Sequence, residues 1–205
     1  MTMPQQTIAQ GFTDLTHQSQ QSFKSIMDAM AQPGKIYDAP HKVDSAGALN
    51  PVAAMVALTL CDAETLIYLD DTLNTAETRQ FLAFHTGAAT TSDSQKAQFA
   101  FLSSAETLEG DHAFNMGNHE YPDQSTTVIV AVNDLANQAG ATLSGPGIET
   151  SRAFASSSLS DQFWQQAEAN NAEYPLGIDH IFVAETQLAA LPRSTKINLD
   201  PAQGE

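Results

Sequence analysis

The sequence contains very little cysteine and very little positive charge. Cys61 is the one cysteine in 205 residues, which excludes an internal disulfide framework and a CxxC zinc site. Eight Lys and Arg residues stand against 24 Asp and Glu, for a formal net charge of -16. Because nucleic acids and anionic membranes are bound through cations, this balance predicts a protein that binds neither. The acidity indicates a solubility adaptation, with a surface for a basic partner as the functional alternative.

Long apolar runs are missing as well. No stretch approaches the ~18–20 apolar residues that a membrane span requires. The first six residues lack the basic start and apolar core of a secretory signal. The chain also lacks the Gly-Lys-Ser or Gly-Lys-Thr of a P-loop. Together with the single cysteine, these absences predict a cytoplasmic protein.

The apolar residues that are present alternate between helical and extended patterns. Helical spacing predicts a helix over residues 14–30, which Pro33 and Gly34 end. Asn50 as N-cap and Pro51 begin an apolar helix that we expect to be buried. Strands are predicted for the short apolar runs at 66–69, 98–102, 126–132, 178–184 and 188–191.

This alternation predicts an α/β fold, a three-layer sandwich with a mixed sheet covered by helices. We find no internal repeat and no linker that divides two domains. One domain is therefore expected over residues 11–197, with flexible tails at 1–10 and 198–205.

Two local clusters contain residue types that could bind a ligand. Gly145-Pro146-Gly147 follows a predicted strand, but Thr150 replaces the third glycine of a dinucleotide-binding turn. A tight turn that needs positive φ is the favoured interpretation. The second cluster consists of metal-capable side chains in a polar loop, namely Asp111, His112, His119 and Glu120. A solvated loop is favoured over a metal site there, and no metal is predicted.

Three further residues have structural explanations that compete with functional ones. His85 ends a predicted helix, where its interaction with the helix dipole suffices as a role. Cys61 follows an apolar helix and is expected to be buried rather than nucleophilic. Arg193 is one of three arginines, and with Asp179 it forms either a structural ion pair or a corner that binds an anion or a partner.

Six segments, in order, resemble the PhnH family of bacterial phosphonate metabolism proteins. Each motif alone is modest, but together they cover the chain from about residue 18 to 197, while segment 106–124 has no match. The segments are 23–34, 58–62 (LTLCD), 84–86 (FHT), 143–148 (LSGPGI), 175–179 (PLGID) and 191–195 (LPRST).

The resemblance implies a subunit of the carbon–phosphorus lyase core complex, in which PhnH works with PhnG, PhnI and PhnJ. That complex couples a phosphonate to the ribose of a nucleoside triphosphate and displaces the base, giving an alpha-D-ribose 1-alkylphosphonate 5-triphosphate. The nucleosidase-like chemistry is attributed to PhnI and the radical iron–sulfur chemistry to PhnJ. A non-catalytic subunit that binds PhnI, and forms a homodimer when isolated, is therefore expected.

The resemblance also implies a fold similar to the large domain of PLP-dependent transferases, without the PLP site. The residues agree independently, because none of the five lysines stands in a phosphate cup and radical iron–sulfur chemistry needs three cysteines. No cofactor and no catalytic residue is therefore predicted. The alternative is a ligand-binding or catalytic subunit with its own anion pocket, whose candidate residues are His85, Gly145, Gly147, Asp179 and Arg193.

Overall fold

The computed structural model describes residues 8–44, 46–109 and 113–199. The helices are α1 (Leu15–Ala31), α2 (Pro51–Leu60), α3 (Ala76–Thr86) and α4 (Asp161–Ala172). The strands are β1 (Tyr37–Asp38), β2 (Leu66–Leu69), β3 (Ala89–Thr91), β4 (Phe99–Leu102), β5 (Thr127–Ala131), β6 (Ala136–Ser144), β7 (Arg152–Ala155), β8 (Asp179–Val183), β9 (Gln187–Leu191) and β10 (Lys196–Asn198). Short 3-10 helices lie at Ser94–Lys96, Ala105–Glu109 and Pro122–Gln124.

A seven-stranded mixed sheet forms the centre, in the order β1-β9-β8-β5-β4-β2-β3. Strands β8, β5, β4, β2 and β3 run parallel, β9 is antiparallel to β8, and β1 is antiparallel to β9 and so runs in the direction of the other five. This arrangement confirms the predicted α/β fold with a mixed sheet. The strands predicted from apolar runs are β2, β4, β5, β8 and β9.

Alternating residues of the central strands enter two separate cores, because successive side chains of a strand point to opposite faces. Ile67, Phe101 and Ile129 join the core under α1, α2 and α3. Val128 and Phe182 join the second core, with α4 and a small antiparallel sheet of order β10-β6-β7. The molecule therefore has three layers, and the second outer layer is part helix and part sheet.

The beginning of α2 follows the predicted capping arrangement. The Asn50 side-chain oxygen accepts hydrogen bonds from the backbone N–H groups of Val52 (2.8 Å) and Ala53 (3.2 Å), and Pro51 occupies the first turn. These bonds satisfy two of the N–H groups that lack partners within a helix. Residues 52–57 are all buried, which confirms the expected interior position.

Helix α1 lies where predicted, but only part of its apolar stripe is buried. Phe23 is 49% exposed and Met27 is 53% exposed, whereas Ser22, Ile26 and Ala29 are buried. Helix α1 packs against α2 and β9, with Ser22 and Ala29 buried beside Ile26. Apolar periodicity located the helix without giving the rotation about its axis.

The strand predicted before Gly145 is β6, whereas its partners β7 and β10 and the edge strand β3 were not predicted. Strand β6 is rich in small and polar residues, and it carries an irregularity in its pairing with β7, so it lacks a clean alternating pattern. Residues near both limits of the described chain contact the folded part. Ile8 and Ala9 pack against the first core, and Asn198 pairs with Thr142.

Candidate functional site

The pairing of β8 with β9 brings Asp179 and Arg193 together. Asp179 begins β8, and Arg193 lies two residues beyond the end of β9. The Arg193 backbone N–H donates to Asp179 Oδ1 at 2.8 Å, and Arg193 Nη2 lies 3.8 Å from Asp179 Oδ2. The Arg193 side chain is only 18% exposed and the Asp179 side chain only 15%. We call these two residues and the groups that they bind the Arg193 corner.

One terminal nitrogen of the Arg193 guanidinium, Nη1, binds the protein itself. Arg193 Nη1 donates to the carbonyl oxygens of Pro122 and Gly177, each at 2.8 Å, and to Ser125 Oγ. These acceptors lie in two different loops, so one side chain joins both loops to the end of β9. The geometry favours the structural interpretation of the ion pair, because both N–H groups of Nη1 are directed at protein oxygens. The other three N–H groups of the guanidinium, on Nη2 and Nε, are not part of these bonds.

Gly177 allows the Arg193 corner to close. Its φ is +125°, and a Cβ at this position would lie 2.7 Å from Asn170 Oδ1 and 3.2 Å from the Arg193 Cβ. The Asn170 amide accepts from the Ile178 N–H and donates to the Ile178 carbonyl oxygen, each at 2.9 Å. A side chain at Gly177 would therefore separate the arginine from α4.

Gly145 and Gly147 lie in a tight turn after β6. Their φ angles are +125° and +80°, which confirms the predicted positive-φ turn. A Cβ on Gly145 would lie 3.2 Å from the Ser194 carbonyl oxygen, so this glycine is adjacent to the segment that carries Arg193. A Cβ on Gly147 would lie 2.0 Å from the Ala31 carbonyl oxygen, at the C-terminal end of α1.

His85 lies elsewhere, in the last turn of α3. Its Nε2 is 2.9 Å from the Ala9 carbonyl oxygen, and its ring packs against Phe81 and Phe84 with centroid distances of 4.6 and 5.0 Å. A Cβ on Gly11 would also meet this ring. These contacts tie the N-terminal segment to α3, and among the described residues they include none of the other four candidates.

The remaining chemically active side chains have simple surroundings. Cys61 is buried after α2, as predicted, and burial, with a smaller contribution from Asp62, raises the pKa of its thiol to about 12. It is therefore a neutral thiol at physiological pH. Asp111 and His112 lie outside the described residues. Within the described ranges, no group of three or more His, Cys, Asp or Glu could hold a metal ion.

A cavity of about 780 Å³ lies at the carboxyl ends of β4 and β5 and was not predicted as a site. In parallel α/β sheets, ligands commonly bind at this edge. The signal in the sequence is that polar residues directly follow apolar strands. Those lining the cavity include Ser103 and Ser104 after β4, Asn133 after β5, Asn50 before α2 and Ser160 before α4.

The polar groups around this cavity are largely engaged with the protein. Buried Asp70 accepts from the Ser103 N–H (2.7 Å), the Ser103 hydroxyl (2.6 Å) and the Leu73 N–H (2.9 Å). Asp134 accepts from the Ser157 hydroxyl and backbone N–H, and these bonds hold the pKa of its carboxyl below the usual value. Among the described residues the lining contains no Lys or Arg, so these walls offer neither side chain to a phosphate group.

These features define the chain as an α/β protein whose polar corners hold its own loops together. In the described part of the molecule, no helix is both long and apolar enough to cross a membrane. The chain belongs to the PhnH family of bacterial phosphonate metabolism proteins, whose family model matches residues 10–198.

Two relatives extend this assignment. The chain is 35% identical over 197 residues to the alpha-D-ribose 1-methylphosphonate 5-triphosphate synthase subunit PhnH of Rhizobium meliloti (strain 1021), covering 96% of this chain and 98% of that protein. It is 28% identical over 183 residues to HtxG of Stutzerimonas stutzeri, covering 89% and 87% of the two chains. HtxG carries the provisional name of a C-P lyase subunit.

Proposed function

We propose that this protein is an essential, non-catalytic subunit of the carbon–phosphorus lyase core complex, which acts in organophosphonate catabolism. In that complex it supports the formation of alpha-D-ribose 1-alkylphosphonate 5-triphosphate from a nucleoside triphosphate and a phosphonate. The observation that carries the proposal is the end-to-end match to a synthase subunit, which covers 96% of this chain and 98% of the relative.

The chemistry of the described residues supports a non-catalytic role. The cavity at the carboxyl edge is lined without Lys or Arg, and Arg193 Nη1 is bound to three protein oxygens. Cys61 is a buried neutral thiol. A nucleoside triphosphate needs cations to offset its charge, so we assign its binding to partner subunits. The proposed partners are PhnI, PhnG and PhnJ, and the proposed state of the isolated protein is a homodimer.

Reconstitution of the complex tests this proposal. PhnG, PhnI and PhnJ are purified and assayed as a three-subunit mixture and, after addition of this chain, as a four-subunit mixture. In each assay the release of the base from a nucleoside triphosphate is measured in the presence of methylphosphonate. We expect no turnover by the isolated chain, turnover by the four-subunit mixture and co-purification with PhnI. Full activity of the three-subunit mixture would contradict the essential role, and turnover by this chain alone would contradict the non-catalytic one.

The alternative is a ligand-binding or catalytic subunit with an anion pocket near Arg193. The observation that favours it is that Arg193, one of eight cations in the chain, retains 18% exposure beside glycine turns at Gly145 and Gly177. Calorimetric titration of the isolated protein with methylphosphonate tests it. Binding that Arg193→Lys weakens, while Arg79→Lys leaves it unchanged, would support this alternative.

A further inference from the structure

A groove of about 410 Å³ lies between the C-terminal half of α4 and the loop that precedes β5. Among its lining residues are the apolar Phe114, Met116 and Ile178 and the polar Gln166, Asn170 and Glu173. Ile178 immediately precedes β8, so the groove lies at the amino edge of the parallel strands. It is therefore distinct from the cavity at their carboxyl ends.

Large apolar side chains near this groove are exposed to solvent. They are Met116 and Tyr121 of the loop, and Tyr174, which follows Glu173. The loop is fixed against the segment before β8, because the Gly177 N–H donates to the Met116 carbonyl oxygen at 2.9 Å. An apolar groove with exposed aromatic and methionine side chains is typical of a surface that binds another protein.

The end of α4 that lines the groove carries an unbalanced negative charge. The last turn of a helix has carbonyl oxygens without partners and is the negative end of the helix dipole, so a cation is stabilising there. Helix α4 has no basic residue in its last turn, and its C-cap is Glu173. Glu120 and Asp123 are exposed in the facing loop. None of these three carboxylates forms an ion pair with another described residue.

The walls of the groove supply no counter-charge for these carboxylates. Among the described residues, no Lys or Arg lines it. Lys96 and Arg193 belong to segments that contact the groove loops, but they are paired with Asp93 and Asp179. Apolar surface beside negative charge suits an apolar segment that is flanked by Lys or Arg. A second copy of this chain fits poorly, because each copy carries a formal net charge of -16.

We propose that this groove is the docking surface for a basic, apolar segment of a partner subunit, whose Lys or Arg side chains lie beside Glu173 at the end of α4. The inference rests on the proposed function, because it takes another subunit of the core complex as the source of that segment. It adds the face of this chain that makes the contact and the chemistry of the segment that occupies it.

Binding of the full-length chain to an immobilised mixture of PhnG, PhnI and PhnJ tests the charged part of the proposal, with rates measured by biolayer interferometry at low and high salt. Glu173→Lys should lower the association rate at low salt about five- to tenfold and flatten its salt dependence, because a repelling charge replaces an attracting one. The control Asp71→Lys makes the same charge change at an exposed site beyond the carboxyl end of β2 and should leave binding nearly unchanged.

Stability of the same variant separates docking from a role in the fold. Glu173→Lys should raise the urea midpoint of the isolated chain, since a cation suits the C-terminal end of a helix. A residue that served only the fold would lose stability and binding together.

Met116→Gln tests the apolar part of the groove. It should raise the dissociation rate about five- to tenfold, because the centre of an interface is apolar and desolvated. Met27→Gln is the matched control, since Met27 is exposed on α1 and should not affect binding.

The outcomes separate this inference from the proposed function. No binding by the unaltered chain would contradict the proposed function, and the inference with it. Binding that Glu173→Lys and Met116→Gln leave unchanged would overturn the inference alone, and so would weaker binding by Met27→Gln, which would assign the contact to α1. If the two groove variants instead abolish self-association of the isolated chain and bind the mixture normally, the occupant is a second copy and the proposal is wrong.

Discussion

Replacing Arg193 with alanine should destabilise the whole protein rather than remove a ligand contact alone. The change leaves the Pro122 and Gly177 carbonyl oxygens without their charged donor and leaves Asp179 without its cation. Breaking a buried ion pair from one side costs about 3–5 kcal/mol. Because the two side chains retain 18% and 15% exposure, we expect the lower end, about 3 kcal/mol of unfolding free energy.

Urea denaturation followed by circular dichroism measures this loss directly. The matched control is Arg79→Ala, since the Arg79 side chain is exposed and, among the described residues, donates only to the backbone and side-chain oxygens of Asn74. We expect the control to lose less than about 1 kcal/mol. Arg193→Lys should fall between the two, because an ammonium keeps the charge but not the planar fork of donors.

The result also separates the two candidate functions. Arg193 is a structural residue if two results hold. Arg193→Ala should lower the unfolding free energy by about 3 kcal/mol, and the fraction of the variant that fails to join the complex should equal the fraction that is unfolded. If the variant keeps the stability and assembly of the unaltered protein but loses phosphonate-dependent growth, the structural interpretation of the Arg193 corner is refuted and the anion pocket is supported.

Three further predictions concern stability, each measured by urea denaturation. His180 has its pKa lowered from 6.5 to about 4 by burial, so its neutral form stabilises folding above pH 6.5 and this contribution is lost as the pH falls towards 4. Between pH 7.5 and 5, His180 should account for a loss of about 2 kcal/mol of unfolding free energy. A His180→Phe variant that loses as much stability over the same pH range would refute this assignment. Gly147→Ala should lower the free energy of unfolding by at least about 2 kcal/mol more than Gly47→Ala does. Both sites have positive φ, but only at Gly147 would a Cβ lie 2.0 Å from a backbone oxygen. Equal losses of stability in the two variants would contradict this clash. Asp70→Asn should lower the unfolding free energy by about 1–3 kcal/mol, because the amide accepts fewer hydrogen bonds than the carboxylate. The exposed control Asp71→Asn should leave stability nearly unchanged. An equal effect of both substitutions would count against a stabilising role for the Asp70 hydrogen bonds.

The sequence-based predictions were most successful where one local pattern is decisive. Asn50 followed by proline located the beginning of α2, because a short polar side chain can accept from the first free N–H groups of a helix. The run at 126–132 located the central strand β5, because β-branched residues suit an extended, buried backbone. The motif residues 143–148 and 191–195 indicated the family, which the match over residues 10–198 confirmed.

The candidate site was harder to predict, because its members are brought together by pairing that is distant in sequence. Arg193 binds groups at Pro122 and Gly177, and no local pattern encodes those contacts. His180 was not selected, since a histidine within an apolar strand looks like an ordinary core residue until its surroundings are known. The exposed side chains of Phe23 and Met27 show the same limit for a helix, because apolar spacing predicts the helix but not which of its side chains are buried.

The sequence by itself determined the charge, the helices and strands with strong patterns, and the family, since these depend on composition and on short-range order. The tertiary structure alone decided that the Arg193 guanidinium holds two loops, that His85 packs against the N-terminal segment, and that the buried His180 Nδ1 has no partner among the described residues. Such properties depend on which distant groups share one small volume, and only the packed chain fixes those distances.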